Sequence, residues 1–204
     1  MEFLVTMTTH VPDGTTDEAV DEMRRREAKR ARELAARGRL ERLWRPPLQA
    51  GEWRSLGLFA AANPDQLEEV LASMPLRVWR TDEATPLSPH PNDPAAAPEP
   101  PGDGVQEFLT ALTIAIPDGT PTRTVDDTNA REAERAHELA AEGHLLRLWK
   151  VSVESGVTRA LGLWRAEDPA SIRAMLESLP VSGWTAAEIT PLTPHPNDPA
   201  IVAA

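Results

Sequence analysis

The chain contains no cysteine and no tyrosine, and aromatic residues make up only 4% of its 204 residues. Without cysteine there are no disulfides, no thiolate metal ligands and no cysteine nucleophile, and the redox compartment is left open. No stretch approaches the roughly 18 apolar residues of a membrane span, and the amino-terminal MEFLVTMTTH has neither a basic start nor a long apolar core. A cytoplasmic location follows by default. Positive charge is also scarce, with 21 Lys and Arg against 32 Asp and Glu, for a net charge of −11. The basic residues from Arg24 to Arg32 alternate with acids around a helix and form no groove-lining patch with interleaved aromatics, which argues against a nucleic-acid partner. Gly-rich phosphate loops, Walker motifs and nucleophile elbows are missing, so nothing supports a nucleotide or flavin cofactor, and the expectation is that no cofactor is used. His10, His90, His137, His144 and His195 show no metal-ligand spacing within either half, and no metal is expected.

What the chain does have is a repeat. REAKRARELAARGRLERLWR, Arg26 to Arg45, returns as REAERAHELAAEGHLLRLWK, Arg131 to Lys150. The correspondence runs at a constant offset of 105 with no gap, from Phe3-Leu4 with Phe108-Leu109, through Leu56-Gly57-Leu58 with Leu161-Gly162-Leu163, to HPNDP at His90 and His195. The sequence therefore divides into repeat 1 over 1–94, a linker rich in Pro, Ala and Gly over 95–104, and repeat 2 over 105–204.

Within one repeat, the alternation from Phe3 to Thr9 reads as a strand, and Pro12-Asp13-Gly14 as a turn. Thr16 or Asp17 can cap a helix running to about Arg37, with Gly38 where a left-handed stop belongs. Arg39 to Arg45 is a second strand. A hairpin connection from Pro46 to Gly51 leads to a third strand at Trp53 to Ala61. Asn63-Pro64 opens a second helix with Leu67, Val70, Leu71 and Met74 inward, Pro75 ends it, and Leu76 to Ala84 reads as strand four before an irregular tail. The order βαββαβ is a ferredoxin-like α+β unit with both helices on one face of an antiparallel sheet. The other face would expose Leu40, Trp44 and alternate residues of strands one and three. The expected solution is sheet-to-sheet packing of the two repeats as a pseudo-dimeric α+β barrel inside one chain, with further homo-oligomerisation open.

Val20, Met23, Glu27, Ala31 and Leu34 fall on one helical face, as do Val125, Thr128, Glu132, Ala136 and Leu139. A carboxylate thus recurs on the inward stripe, where an unpaired charge is costly or its pKa rises. Such a carboxyl suits a base that removes a proton next to a carbonyl and returns it elsewhere. The alternative is that each glutamate snorkels to the sheet edge or pairs with a nearby arginine such as Arg24 or Arg131.

These residues resemble the muconolactone Δ-isomerase family. The pattern is Val5-x-Met7-Thr8, then Glu27, Ala31, Leu34, Gly38, Leu43-Trp44-Arg45 and Met74-Pro75, repeated as Glu132, Ala136, Leu139, Gly143, Leu148-Trp149-Lys150 and Leu179-Pro180. The resemblance implies a small ferredoxin-like subunit dimerising through its sheets, and a cofactor-free proton shift that converts muconolactone to the 3-oxoadipate enol-lactone in aromatic catabolism. It assigns the proton transfer to Glu27, and by repetition to Glu132. This chain departs from the family pattern in its tandem fusion, its lack of tyrosine and its hairpin after Arg45. Arg45 and Lys150, at the end of strand two, are candidate partners for an enolate or a substrate carboxylate, with Arg the better fork. Trp44, Trp149, Trp79 and Trp184 are candidate substrate contacts, the last two placed to roof a pocket beside the tail; the alternative for each is a core position. HPNDP, with its rigid prolines, reads as a tail clasp across subunits. Three functions fit these residues: an isomerase of a small unsaturated lactone or related enolisable carbonyl compound, a cyclase or isomerase of polyketide-like secondary metabolism, or a non-catalytic small-molecule binding or assembly module.

Overall fold

The computed structural model describes residues 1–96, 102, 104–151 and 158–202. Among the described residues it is an α+β protein with eight antiparallel strands and five α-helices. Residues divide into two compact units. Their boundaries differ from those of the repeats. Unit 1 comprises Met1–Pro86 with the chain from Thr193 onward, and unit 2 begins at Leu87 and ends at Leu192. Each unit thus takes its tail from the other repeat.

Unit 1 is built from β1 (Glu2–Thr9), α1 (Asp17–Ala36), β2 (Leu40–Arg45), β3 (Arg54–Ala60), α2 (Pro64–Ala72) and the first part of β4 (Arg80–Pro89). β1 lies between β3 and β4, and β2 borders β3 on the other side, the strand order expected of a ferredoxin-like unit. The local signals explain the boundaries. Thr16 caps α1 by accepting from the Ala19 N–H at 3.3 Å, and Gly38 takes φ 61° just past its end. Asn63 caps α2 by accepting from the Gln66 N–H at 2.8 Å, with Pro64 in its first turn. Phe3, Val5 and Met7 of β1 meet Ala31 and Leu34 of α1 and Leu67 and Leu71 of α2 in one core. Gly57 is required because a Cβ there would collide with the Phe59 ring.

Two details differ from the sequence reading. The β2–β3 register shifts between Leu40 and Arg42. A one-residue bulge exchanges the faces of everything after it, so Leu40 and Leu43 both join the helix-side core, while Arg42 and Trp44 fall on the opposite side. Leu40 is therefore not on the helix-free face. Strand four also starts later than Leu76: Pro75–Trp79 form a 3-10 turn, and β4 continues from Arg80 through the supposed tail to Pro89.

Unit 2 repeats the pattern with β5 (Gln106–Ile114), α3 (Thr122–Ala141), β6 (Leu145–Val151), β7 (Thr158–Ala166), α4 (Pro169–Glu177) and most of β8 (Thr185–Pro194). Phe108, Leu139, Leu145 and Trp164 centre its core. The bulge recurs between Leu145 and Arg147. The final short helix, α5 (Pro199–Val202), belongs to unit 1 and lies against β2. The expected linker falls largely outside the described residues, as does the hairpin following Val151.

Candidate active site

In unit 1 a cavity of about 700 Å³ opens between α1, the sheet and the incoming tail. Glu27 stands on its wall, 8% exposed. One carboxylate oxygen accepts the Leu76 backbone N–H at 2.9 Å, and the other accepts from Arg80 Nη1 at 3.0 Å. Burial pushes the Glu27 carboxyl above the usual carboxylate range; the Leu76 N–H and the Arg80 guanidinium pull it back part of the way. Glu27 is neither snorkelling nor paired with Arg24. Arg24 instead bonds Asp21 at 3.3 Å and stacks 4.7 Å from the Trp53 ring centre.

The remaining wall is cationic and apolar. Arg45 reaches it from the exposed end of β2, and Arg24, Arg54 and Arg80 join it beside Met7, Leu43 and Met74. Four arginines and two carboxylates, Glu27 and Glu52, line the cavity, and Asp21 and Asp82 are bonded in turn to Arg24 and Arg80. The tail contributes His195 and Asn197. His195 Nδ1 accepts the Asn197 backbone N–H at 3.1 Å, which places the proton of the neutral ring on Nε2. Burial, aided by Arg45, lowers the His195 pKa to about 4, so the ring is a neutral donor at ordinary pH.

The tail is held by a buried ion pair. Asp198 is fully buried and accepts from Arg42 Nη2 at 3.0 Å and from the Leu43 N–H at 3.1 Å. The His195 N–H donates to the Leu43 carbonyl at 2.9 Å, extending β2 by a short ladder. In unit 2 Asp93 does the same for Arg147 at 3.3 Å and the Leu148 N–H at 2.8 Å. HPNDP is thus a clasp between the repeats of one chain, where the sequence suggested one across subunits.

Trp44 and Trp149 are 1% and 2% exposed, each under its own strand's arginine, Arg42 or Arg147, at 4.8 Å. Neither lines the cavity around Glu27, and their place is the structural alternative to the expected substrate contact. Trp79 and Trp184 are half-buried in the 3-10 turns and also stand off that cavity. The tryptophan on the wall is Trp53, whose place at a hairpin end gave no periodic signal.

Repeat 2 is built differently around its glutamate. Glu132 is half-buried and accepts the Val181 N–H at 3.2 Å, and burial raises its pKa. Thr185 occupies the position of Arg80, and Asn129 that of Arg24. Lys150 is exposed on β6 and lies near His90, as Arg45 lies near His195. A smaller cavity of about 210 Å³ in this unit is lined by residues of β5, α4, the turn after it and β8, among them Leu176, Val181 and Ile189 with Arg173 and Glu177, and does not include Glu132. Among the described residues no three His, Asp or Glu side chains group as metal ligands.

Of the residues expected at a site, Glu27 and Arg45 line this cavity, and Arg80, Arg24, Arg54 and His195 line it without having been expected there. Arg80 was hidden by the misplaced start of strand four, and His195 by its origin in the other repeat.

The family model described as muconolactone delta-isomerase matches residues 1–93 and again 106–198. Muconolactone Delta-isomerase 1 of Acinetobacter lwoffii is 30% identical over 92 residues, which cover 45% of this chain and 93% of that protein. The muconolactone Delta-isomerase of Cupriavidus pinatubonensis is 28% identical over 92 residues, 45% of this chain and 97% of its own. Among solved structures, a heme-binding protein from Thermus thermophilus superposes with TM-score 0.60 at 12% identity over 100% of this chain and 95% of that one. A chlorite dismutase from Candidatus Nitrospira defluvii gives 0.58 at 8% identity, covering 94% and 91%. These structural likenesses concern the fold. The double match, spanning nearly the whole chain, places it in the muconolactone delta-isomerase family as a tandem member.

Proposed function

We propose that unit 1 is a cofactor-independent isomerase site that shifts a proton and a double bond in a small unsaturated lactone, or related enolisable carbonyl compound, carrying a carboxylate. The observation that carries this reading is a buried glutamate of raised pKa on the wall of a cavity rich in arginine. Ionised Glu27 takes a proton from the saturated carbon at the far end of the conjugated system, leaving a dienolate. The resulting carboxylic acid returns that proton to the carbon next to the carbonyl, so the bond moves with no net loss of atoms or electrons. The His195 Nε2–H and the surrounding guanidinium groups supply donors for the enolate oxygen and the substrate carboxylate.

The test is turnover of muconolactone, beside a panel of other lactones and polyketide-like enones, by wild type and Glu27→Gln. A general base is worth roughly 10²–10⁴-fold, so the amide should lose at least that much while keeping the fold. Turnover of a different panel member would reassign the substrate. Turnover of none would favour the binding module.

A further inference from the structure

Glu27 is the inner end of a row of alternating charges. Arg80 Nη1 donates to Glu27 at 3.0 Å and its Nη2 donates to Asp82 Oδ2 at 3.0 Å. The same Asp82 oxygen accepts from Arg77 Nη1 at 2.8 Å, and Arg77 Nη2 donates to Glu68 at 2.8 Å. The Arg80 and Asp82 side chains are 3% and 2% exposed, and the row meets solvent at its Arg77–Glu68 end.

Repeat 2 replaces all four outer members together. Arg77, Arg80, Asp82 and Glu68 become Ser182, Thr185, Ala187 and Arg173. The strand β8 and the turn before it form nonetheless. The turn and strand of repeat 2 thus form without such a row, and its presence beside one glutamate alone points to a role at that glutamate.

We propose that Arg80 and Asp82 are positioning residues for Glu27, the guanidinium fixing the direction of the carboxylate and Asp82 offsetting the charge that the guanidinium brings. An arginine alone beside a carboxylate makes it a weak base, with a pKa lower by roughly 1–3 units. A second carboxylate on the other edge of the same guanidinium cancels most of that field and leaves the hydrogen bond intact. Glu27 then keeps a defined orientation without losing basicity. The other charged or titratable groups lining its cavity are Arg24 from α1, Arg45 from β2, Glu52 and Arg54 before and in β3, and His195 from the tail.

This inference rests on Glu27 being the base, and its test is arranged to fail separately from that reading. Proteins carrying 13C-carboxyl glutamate are titrated by NMR, with Glu132 in the same spectra as an internal control. Asp82→Asn should move the Glu27 midpoint down, and Arg80→Met should move it up. Arg77→Met, at the wet end of the row, is a milder change and should also move it up. Glu132 should stay still throughout. Arg80→Met should lower kcat on whichever lactone is turned over by roughly 10–100-fold with KM little changed, because misorientation rather than binding is at fault. Arg80→Lys, which keeps the charge without the fork, should restore the midpoint but not kcat. A Glu27 midpoint that ignores these substitutions, or that moves only in step with Glu132, overturns the proposal. Loss of activity in Glu27→Gln is read independently of any midpoint.

Discussion

Single residues set the pH behaviour of this protein. Glu132 is half-buried with one backbone donor and a raised pKa, so its folded form holds a proton that the unfolded chain has released. Stability linked to it is complete below the unfolded value near 4.5 and is lost as pH rises through the folded value. Glu132→Gln should therefore match wild type in thermal denaturation at about pH 4 and melt higher at about pH 7. His195 runs the other way. Its pKa falls from 6.5 to about 4, so the unfolded chain takes up a proton that the folded one refuses, and stability declines as pH drops through that window. His195→Gln should flatten this part of the melting profile, and a variant whose acid decline equals that of wild type would place the acid sensitivity elsewhere.

At the scale of elements, periodicity and capping residues were enough to locate strands and helices in both repeats. Thr16, Gly38 and Asn63-Pro64 act through local chemistry, and local chemistry is legible in a linear sequence. Glu27 was equally legible, as a charge standing on the apolar stripe of its helix. The bulge at Glu41 was not, since it depends on pairing with β3, and it carried Leu40 to the opposite face from the one expected. Nor was the 3-10 turn at Pro75–Trp79, which cost the reading Arg80. The clasp offers an element-scale test. Asp198→Ala leaves Arg42 buried beside Trp44 with its carboxylate gone, a change typically worth about 3–5 kcal/mol in urea denaturation. Asp93→Ala should cost less, because the Arg147 side chain is 16% exposed and can recover water. Equal losses would mean that burial is not what sets the strength of the two clasps.

For the molecule as a whole, the repeats are alike in backbone and unlike in chemistry. Glu27→Gln and Glu132→Gln, assayed separately, should divide unequally, with most turnover lost in the first. The difference expected from Arg45 against Lys150 is enlarged by Arg80 against Thr185 and Arg24 against Asn129. The exchange of tails takes place within one chain, where the sequence suggested a clasp across subunits. It also has an evolutionary meaning. In a homodimer of single repeats that traded tails, every mutation would appear twice, once in each site, and no substitution could favour one partner. Fusion into one chain ends that constraint: the tail of repeat 2 now meets repeat 1 and no other, so selection can improve the giver and the receiver of a tail separately. The presence of a whole row of charges in one repeat but not the other is the kind of divergence that such freedom permits.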